Sequence, residues 1–598
     1  MSVVTLPNQF DCGAASISSI YRDPQYLQDL LNSLGLTGST ISKYCDSMQS
    51  VGGQFMLLNA NNDPLHLAHL YRDFLVETPT VFLVDNKPEL VQAILDYVEN
   101  LILTGEGLTP QRASILNGIL PAQYSQGYDR INHKLEFPRD HHIKTNVSAG
   151  WYFLVGNVLS VKDKQKMGLE LIFWYYPIFP RDFLKSRSLP DDAFLLQSVT
   201  VALTVIQGSS KSFFSNATGL VMTNSGAAKH SLPEGKKVFF SVGNSSLLSD
   251  SNDLSNLTVV ARDVDTQTGA PLLMYLKLKA VKPLFYQGNG KGCTPCIAGL
   301  GTLYYSYPRY KIEDIQLQYG TLSAPMTAKD FDLPNSSFWL DHQWVYGFFA
   351  AAFPENVMVR ALSNFYNSSF SGWYWFMGHL YDGRDFTFSR SCDSHMDSLP
   401  AGDVVMTDKT EAKVISPVGV ASKIFTDNKI VAKSWISVQL GSVGGSNVIV
   451  TAFVPTECVL TIDGEEFSMK ADYPAPITKN RQGAYVREGS VTIHNSAGTV
   501  IGHGFMEMTG WFISQKDEDS SIYTLLGGAL LDNRRHIADL SRRNPNWGLK
   551  LQSILFLILI AIVIFLIFVL LPLYIIYVLV MAYKQQPTQD FSQLPPEP

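Results

Sequence analysis

Cysteine is scarce in this chain: six residues in 598, too few and too scattered for a disulfide framework. Positive charge is scarce as well. The formal net charge is −7, and no basic block occurs outside a cluster from Arg534 to Lys550, which excludes nucleic acid as the expected partner. The amino-terminal stretch MSVVTLPNQFDCG has neither a charged region nor an apolar run, so no secretory signal is expected. Metal-ligand spacing is missing too. Cys293 and Cys296 form one CxxC without a second, and Asp140, His141, His142 and His133 lack a spaced further ligand and read as polar loop surface. No metal and no cofactor is therefore expected. The segment Gly288–Gly292 is glycine-rich but lacks the strand–loop–helix setting of a phosphate loop. Cys12 lies in a segment faintly like a peptidase nucleophile, yet the histidines nearest to it in sequence, His66 and His69, fall on a predicted helix. A structural thiol is the better reading.

What is present is apolar and aromatic. Hydrophobic residues make up 46% and aromatic residues 12% of the chain, the mark of folded rather than disordered sequence. The length calls for several domains. Residues 1–130 carry helical periodicity at Tyr26–Leu34, Leu65–Phe74 and Leu90–Val98, with Asp23-Pro24 and Asp63-Pro64 as start signals. They read as a small helical domain with one short strand at Val81–Val84. From about Leu135 the pattern changes to short aromatic and β-branched runs between turn residues, such as Trp151–Leu159, Leu169–Tyr176, Ser198–Ile206, Leu272–Leu278 and Thr302–Tyr307. That pattern predicts an all-β sandwich or barrel.

Two stretches concentrate the chemistry. In FWLDHQWVYG (Phe338–Gly347), Trp339, Asp341 and Gln343 alternate with Leu340, His342 and Trp344. On a strand these sets face opposite ways, each mixing large rings with a polar tip. Such a strand suits the wall of an apolar pocket with a few placed polar groups. In SGWYWFMGHLYDGRD (Ser371–Asp385) a second aromatic strand ends at the Asp382-Gly383 turn.

Together with LEFPRDHHIKTNVSAGWYFLVGNVL (Leu135–Leu159), YYSYPRY (Tyr304–Tyr310) and AYVREGSVTIHNSAGTVIGHGFMEMTGW (Ala484–Trp511), these stretches occur in the order of a known family. The chain resembles the carotenoid 1,2-hydratase (hydroxyneurosporene synthase) family, a lipocalin-like group similar also to fungal Diels–Alderases. The resemblance spans about residues 131–515. It implies a mainly β fold of two lipocalin-like barrels or half-barrels, residues 131–328 and 329–517. It implies Asp382 as the catalytic acid, next to Tyr381, and His342 and Trp344 as pocket residues, His342 being a second catalytic candidate; Trp339, Trp373 and Trp375 of the two aromatic strands complete the expected ligand-binding set. One departure stands out: where the family has an acidic residue before two tryptophans, this sequence reads Gly150-Trp151-Tyr152.

The remaining segments are a basic juxtamembrane stretch (518–550), an uncharged apolar run (551–583 in outline) and a short polar tail (584–598). About 20 apolar residues span a bilayer, so the run predicts a single transmembrane helix, kinked at Pro572. The expected protein is thus a tail-anchored, lipocalin-like binder of a terpenoid, polyene or lipid. Two readings stay open, a hydratase or cyclase/isomerase and a non-catalytic lipid binder. Asp382 divides them, since an acid belongs in the pocket whereas Asp-Gly also caps turns.

Arg534, Arg535, Arg542, Arg543 and Lys550 precede the apolar run and Lys584 alone follows it closely. The positive-inside rule then puts the large amino-terminal part in the cytosol. Protease added to intact membranes is expected to digest residues 131–515; protection of that region, or glycan on Asn335 or Asn367, reverses the orientation.

Overall fold

The computed structural model describes residues 63–77, 88–109 and 113 and, with interruptions of which the largest are 346–371 and 393–403, residues 135–515. The chain divides into two compact units, Met1–Leu526 and Gly527–Pro598. The second unit, with the predicted span at 551–583, lies outside the described residues, as do the expected helix at Tyr26–Leu34 and the strand at Val81–Val84. Among the described residues no helix is long and apolar enough to cross a membrane.

The helices α1 (Pro64–Glu77) and α2 (Pro88–Leu103) pack on each other. Asp63 starts α1 through its carboxylate, which accepts the Leu65 N–H at 2.9 Å. The face of Leu67, Leu70, Tyr71 and Phe74 is buried, while Leu65 is left exposed. Its rings meet the segment after the second strand: Phe74 lies 5.6 Å from Phe179 and 5.2 Å from Phe183, which sits in the short helix α3 (Arg181–Ser186). The helices therefore share a core with the β module.

The rest is antiparallel sheet. The first sheet comprises β1 (Ala149–Leu159), β2 (Lys166–Pro177), β3 (Leu195–Gln207), β4 (Ser210–Ala217), β5 (Val221–Met222), β6 (Ala228–His230), β7 (Phe239–Val242), β8 (Ser245–Ser249), β9 (Asn256–Val264), β10 (Pro271–Ala280), β11 (Phe285–Tyr286), β12 (Thr302–Gln318), β13 (Met326–Thr327) and β14 (Ser337–Val345). Its main path runs β4-β3-β2-β1-β14-β12-β10-β9-β8-β7-β6. The sheet curls until β3 nears β6, where Gln197 Nε2 donates to the Lys229 carbonyl at 3.2 Å. The second sheet comprises β15 (Gly372–Leu380), β16 (Asp385–Cys392), β17 (Val404–Met406), β18 (Thr410–Ile415), β19 (Lys429–Ser442), β20 (Ile449–Ile462), β21 (Glu465–Ala471), β22 (Ile477–Lys479), β23 (Tyr485–His494), β24 (Val500–Thr509) and β25 (Phe512–Gln515). Its path is β17-β19-β20-β21-β23-β24-β15-β16-β18. The fold is mainly β, two curled half-barrels rather than two closed barrels.

Two expectations need correction. The boundary between barrels at 328/329 assigns Ser337–Val345 to the second half, but β14 lies in the middle of the first sheet, paired with β1 on one side and β12 on the other. Its aromatic residues therefore do not neighbour those of β15 along one sheet. They face them across two sheets, with Trp339 and Trp375 6.1 Å apart. The run at Thr302–Tyr307 also continues: β12 passes Pro308 through a register shift between Tyr307 and Tyr310. Proline cannot donate to the ladder and is accommodated at such irregularities.

β1 is buried along almost its whole length. One face lines the first half-barrel and the other meets the second sheet, which is why its sequence is nearly uninterrupted apolar residue. The sheets approach closely at Gly168, where an added Cβ lies 2.5 Å from the Ser490 side chain. Gly168→Ala is therefore expected to force the sheets apart and to cost about 1–3 kcal/mol, read as a lowered denaturation midpoint.

Candidate functional site

The strand β14 presents two different chemistries on its two faces. Leu340, His342 and Trp344 point into the first half-barrel. His342 is fully buried and stacks on Tyr152 at 4.1 Å. The Tyr305 hydroxyl bridges His342 Nδ1 at 3.1 Å and His141 Nδ1 at 2.8 Å, and the Tyr175 hydroxyl lies 3.4 Å from His342 Nε2. The Tyr175 ring fills the place of a side chain at 150: a Cβ on Gly150 would fall 2.1 Å from it. The absent acidic residue is thus replaced by a phenol on the neighbouring strand. Burial lowers His141 to about 3 and His342 well below the usual imidazole range, so both rings are neutral. His141 and His142 are buried, not loop surface. His142 Nδ1 lies 2.8 Å from Ser231 Oγ, and Asp140 binds the Glu136 N–H, Arg139 and Lys144. Trp344 lies under the Lys144 ammonium at 4.9 Å, and its own Nε1 has no partner.

Trp339, Asp341 and Gln343 point the other way, between the sheets. Asp341 is 2% exposed. Its carboxyl accepts from Trp339 Nε1 at 2.5 Å, Tyr304 Oη at 2.5 Å and Ser306 Oγ. Gln287 Nε2 donates to that serine at 2.8 Å. Burial pushes Asp341 up to about 7 against the pull of these donors. Three further carboxyls share this layer. Glu507 on β24 accepts from Trp373 Nε1 at 2.6 Å and is pushed up to about 8 by burial. Glu170 on β2 and Glu488 on β23 face each other closely enough to share a proton. Burial raises Glu170 to about 7 and Glu488 well above its ordinary value. Around them pack Trp151, Phe153, Val155, Ile172, Phe285, Met377 and Phe505. Trp375 lies 5.5 Å from Phe153, and its buried Nε1 has no partner.

At the far end of the same layer Asp385 is fully buried. It holds Lys282 at 2.6 Å, Arg309 at 2.6 Å and His379 Nδ1 at 2.7 Å. Burial raises its carboxyl, but the His379 hydrogen bond and the two cations outweigh that and hold it below the usual range. As an ionised acceptor it receives the His379 Nδ1–H. Lys282 and Arg309 come from the first sheet and grip the β15–β16 turn, donating to the carbonyls of Gly383, Leu380 and Arg384.

The predicted site residues therefore separate. His342 and Trp344 lie within the first half-barrel; Trp339, Trp373 and Trp375 lie between the sheets. Asp382 and Tyr381 join neither. Asp382 has a 51% exposed side chain and accepts from the Arg384 N–H at 2.9 Å and its guanidinium at 2.7 Å, capping the turn. Tyr381 is 56% exposed. A surface trough of about 440 Å³ on the second sheet is lined by polar groups such as Lys429, Lys433, Glu457 and His494, unlike the apolar pocket expected. Among the described residues no three histidine, cysteine or acidic side chains are grouped to hold a metal. Glu170, Glu488 and Glu507 escaped the sequence reading. For Glu170 and Glu507 the signal was an acid set inside otherwise apolar strands, MGLELIFW and GFMEMTGW; Glu488, between Arg487 and Gly489, carries no such signal.

The AttH-like family model matches residues 129–511. The chain belongs to the AttH-like family. This is the carotenoid hydratase-like, lipocalin-like grouping that the ordered motifs indicate. A comparison with curated proteins gives no match. Among solved structures, this AttH-like chain is similar to a protein of Nitrosomonas europaea assigned as AttH, with 16% identity, 64% of this chain and 98% of that one covered, and a TM-score of 0.42. It is similar also to kievitone hydratase from Nectria haematococca, with 11% identity, 64% and 94% covered, and a TM-score of 0.36.

The four raised carboxyls make stability depend on pH. Each binds its proton more tightly folded than unfolded, so stability is full below the unfolded values near 4 and is lost as pH rises toward 7–8. The denaturation midpoint is expected to fall between pH 5 and about 8. Asp341→Asn and Glu507→Gln are each expected to flatten that slope, measured by denaturant titration across pH.

Proposed function

We propose that this AttH-like protein binds an apolar, unsaturated ligand (a terpenoid, polyene or lipid) and transfers a proton to it, as a hydratase or cyclase/isomerase. The carboxyl layer between the sheets supplies the proton, with Asp341 in the role expected of Asp382. The observation that carries this reading is Asp341 itself: a carboxyl sealed among Trp339, Trp375 and Phe153 that keeps its proton to about pH 7. Protonating an isolated double bond needs an acid held neutral in an apolar setting. The indole faces beside it attract the cation that forms. Glu507 and the Glu170–Glu488 pair offer a reservoir from which Asp341 is reprotonated.

A second reading, a non-catalytic binder, is favoured by the His342 face. Its imidazoles are neutral, its phenols are held protonated by burial, and it is closely packed. The apolar run at 551–583 supports a membrane tether in either case, where such ligands reside.

Organic extracts of the purified full chain, analysed by mass spectrometry, identify the bound molecule. With that molecule as substrate, Asp341→Asn is expected to lower turnover by ~10²–10⁴-fold while affinity stays within a few-fold. Asp382→Asn is expected to leave turnover unchanged. Loss of turnover in Asp382→Asn with Asp341→Asn active overturns the assignment, and no turnover by the parent chain leaves the binder.

A further inference from the structure

Arg487 on β23 is a fully buried guanidinium inside the second half-barrel. It lies on the strand face of Met508, its cross-strand partner, and of Tyr374 beyond it, the face of the apolar core that also holds Phe376, Phe388, Leu460 and Met469, opposite the face that carries Glu488 of the carboxyl layer. One of its nitrogens, Nη1, donates to the Met506 carbonyl. Nε and Nη2 have no hydrogen-bond partner among the described residues. Among the described residues no carboxylate neutralises it. Asp472, whose charge it senses, is tied to Lys166 at 2.6 Å, and Glu488 is held protonated by burial. The Cys458 thiol nearby is pushed up to about 12 by burial and stays neutral. Arg390 lies on the same interior row, reached across β23, β24, β15 and β16 through Met508 and Tyr374, and is also buried.

An unpaired buried charge is among the costliest features a fold can carry, and two unmet guanidinium donors add to that cost. Arginine keeps its charge even here: burial lowers it only to about 10. The fork of a guanidinium matches a carboxylate in two parallel hydrogen bonds. We infer that the second half-barrel binds an amphiphilic carboxylate, its head on Arg487 and its hydrocarbon tail along the Phe376, Phe388, Leu460 and Met469 side of the interior. This site lies across the sheet from the carboxyl layer and does not depend on the chemistry assigned there.

Oleate, its neutral counterpart oleyl alcohol, and inorganic phosphate serve as probes, titrated into the full chain by calorimetry at pH 8. Oleate is expected to bind at one site, at least ~10-fold more tightly than oleyl alcohol, a difference of about 1.4 kcal/mol, and phosphate not to compete. Arg487→Met is expected to remove the preference for oleate while leaving oleyl alcohol binding unchanged. Without ligand, the same variant is expected to raise the denaturation midpoint, because it deletes an uncompensated buried charge; a purely structural arginine lowers it instead. Equal binding of oleate and oleyl alcohol to the parent chain overturns the proposal even if the variant does not fold. So does displacement of oleate by phosphate, or oleate binding unaffected in Arg487→Met.

Discussion

The structure depends on one constraint: two sheets pressed together face to face, so that the strands between them are buried on both sides. β1 and β14 carry most of it. One of their faces fills the first half-barrel and the other abuts β15 and β24. A strand in that position has no solvent side on which to discard a polar residue, so its polar groups depend on partners inside, and Trp344 Nε1 goes without one. Asp341 finds three, His342 finds two phenols, and the pair divides cleanly by the pleat. The ionic grip of Lys282 and Arg309 on the β15–β16 turn belongs to the same contact. It fixes the second sheet on the first through a carboxylate that is itself fully buried.

Much of this was legible in the sequence because strand periodicity is local. The alternation in Phe338–Gly347 separated Asp341 from His342, and the turn at Asp382-Gly383 followed from residue type alone, with Gly383 taking a φ of +89°. The α1 face of Leu67, Leu70, Tyr71 and Phe74 likewise follows from period and a proline start signal. What failed was non-local. Nothing within Ser337–Val345 says that it inserts between Thr302–Gln318 and Ala149–Leu159, the latter far earlier in the chain. Placing it with the next strands in sequence put Trp339 beside Trp375 in one sheet instead of opposite it. The same blindness hid Tyr175, whose ring occupies the space over Gly150 only because β2 pairs with β1 in that register. The exposure of Asp382, which the family resemblance marks as the acid, is likewise invisible in the local pattern.

The buried acids explain why the contact between the sheets is also the chemically loaded part of the molecule. Four carboxyls in an apolar layer repel one another if ionised and cohere if they share protons. Glu170 and Glu488 come from different sheets, so their shared proton joins the two half-barrels directly. Asp341 and Glu507 are likewise drawn from opposite sheets. Protonation is thus the condition under which the sheets can be this close, and closeness is what keeps the protons on. A layer built in this way holds exchangeable protons at neutral pH in surroundings from which water is excluded. For a double bond brought against Trp339 and Trp375 the protein needs no further device to be acidic: the packing that forms the fold is also the source of the acid.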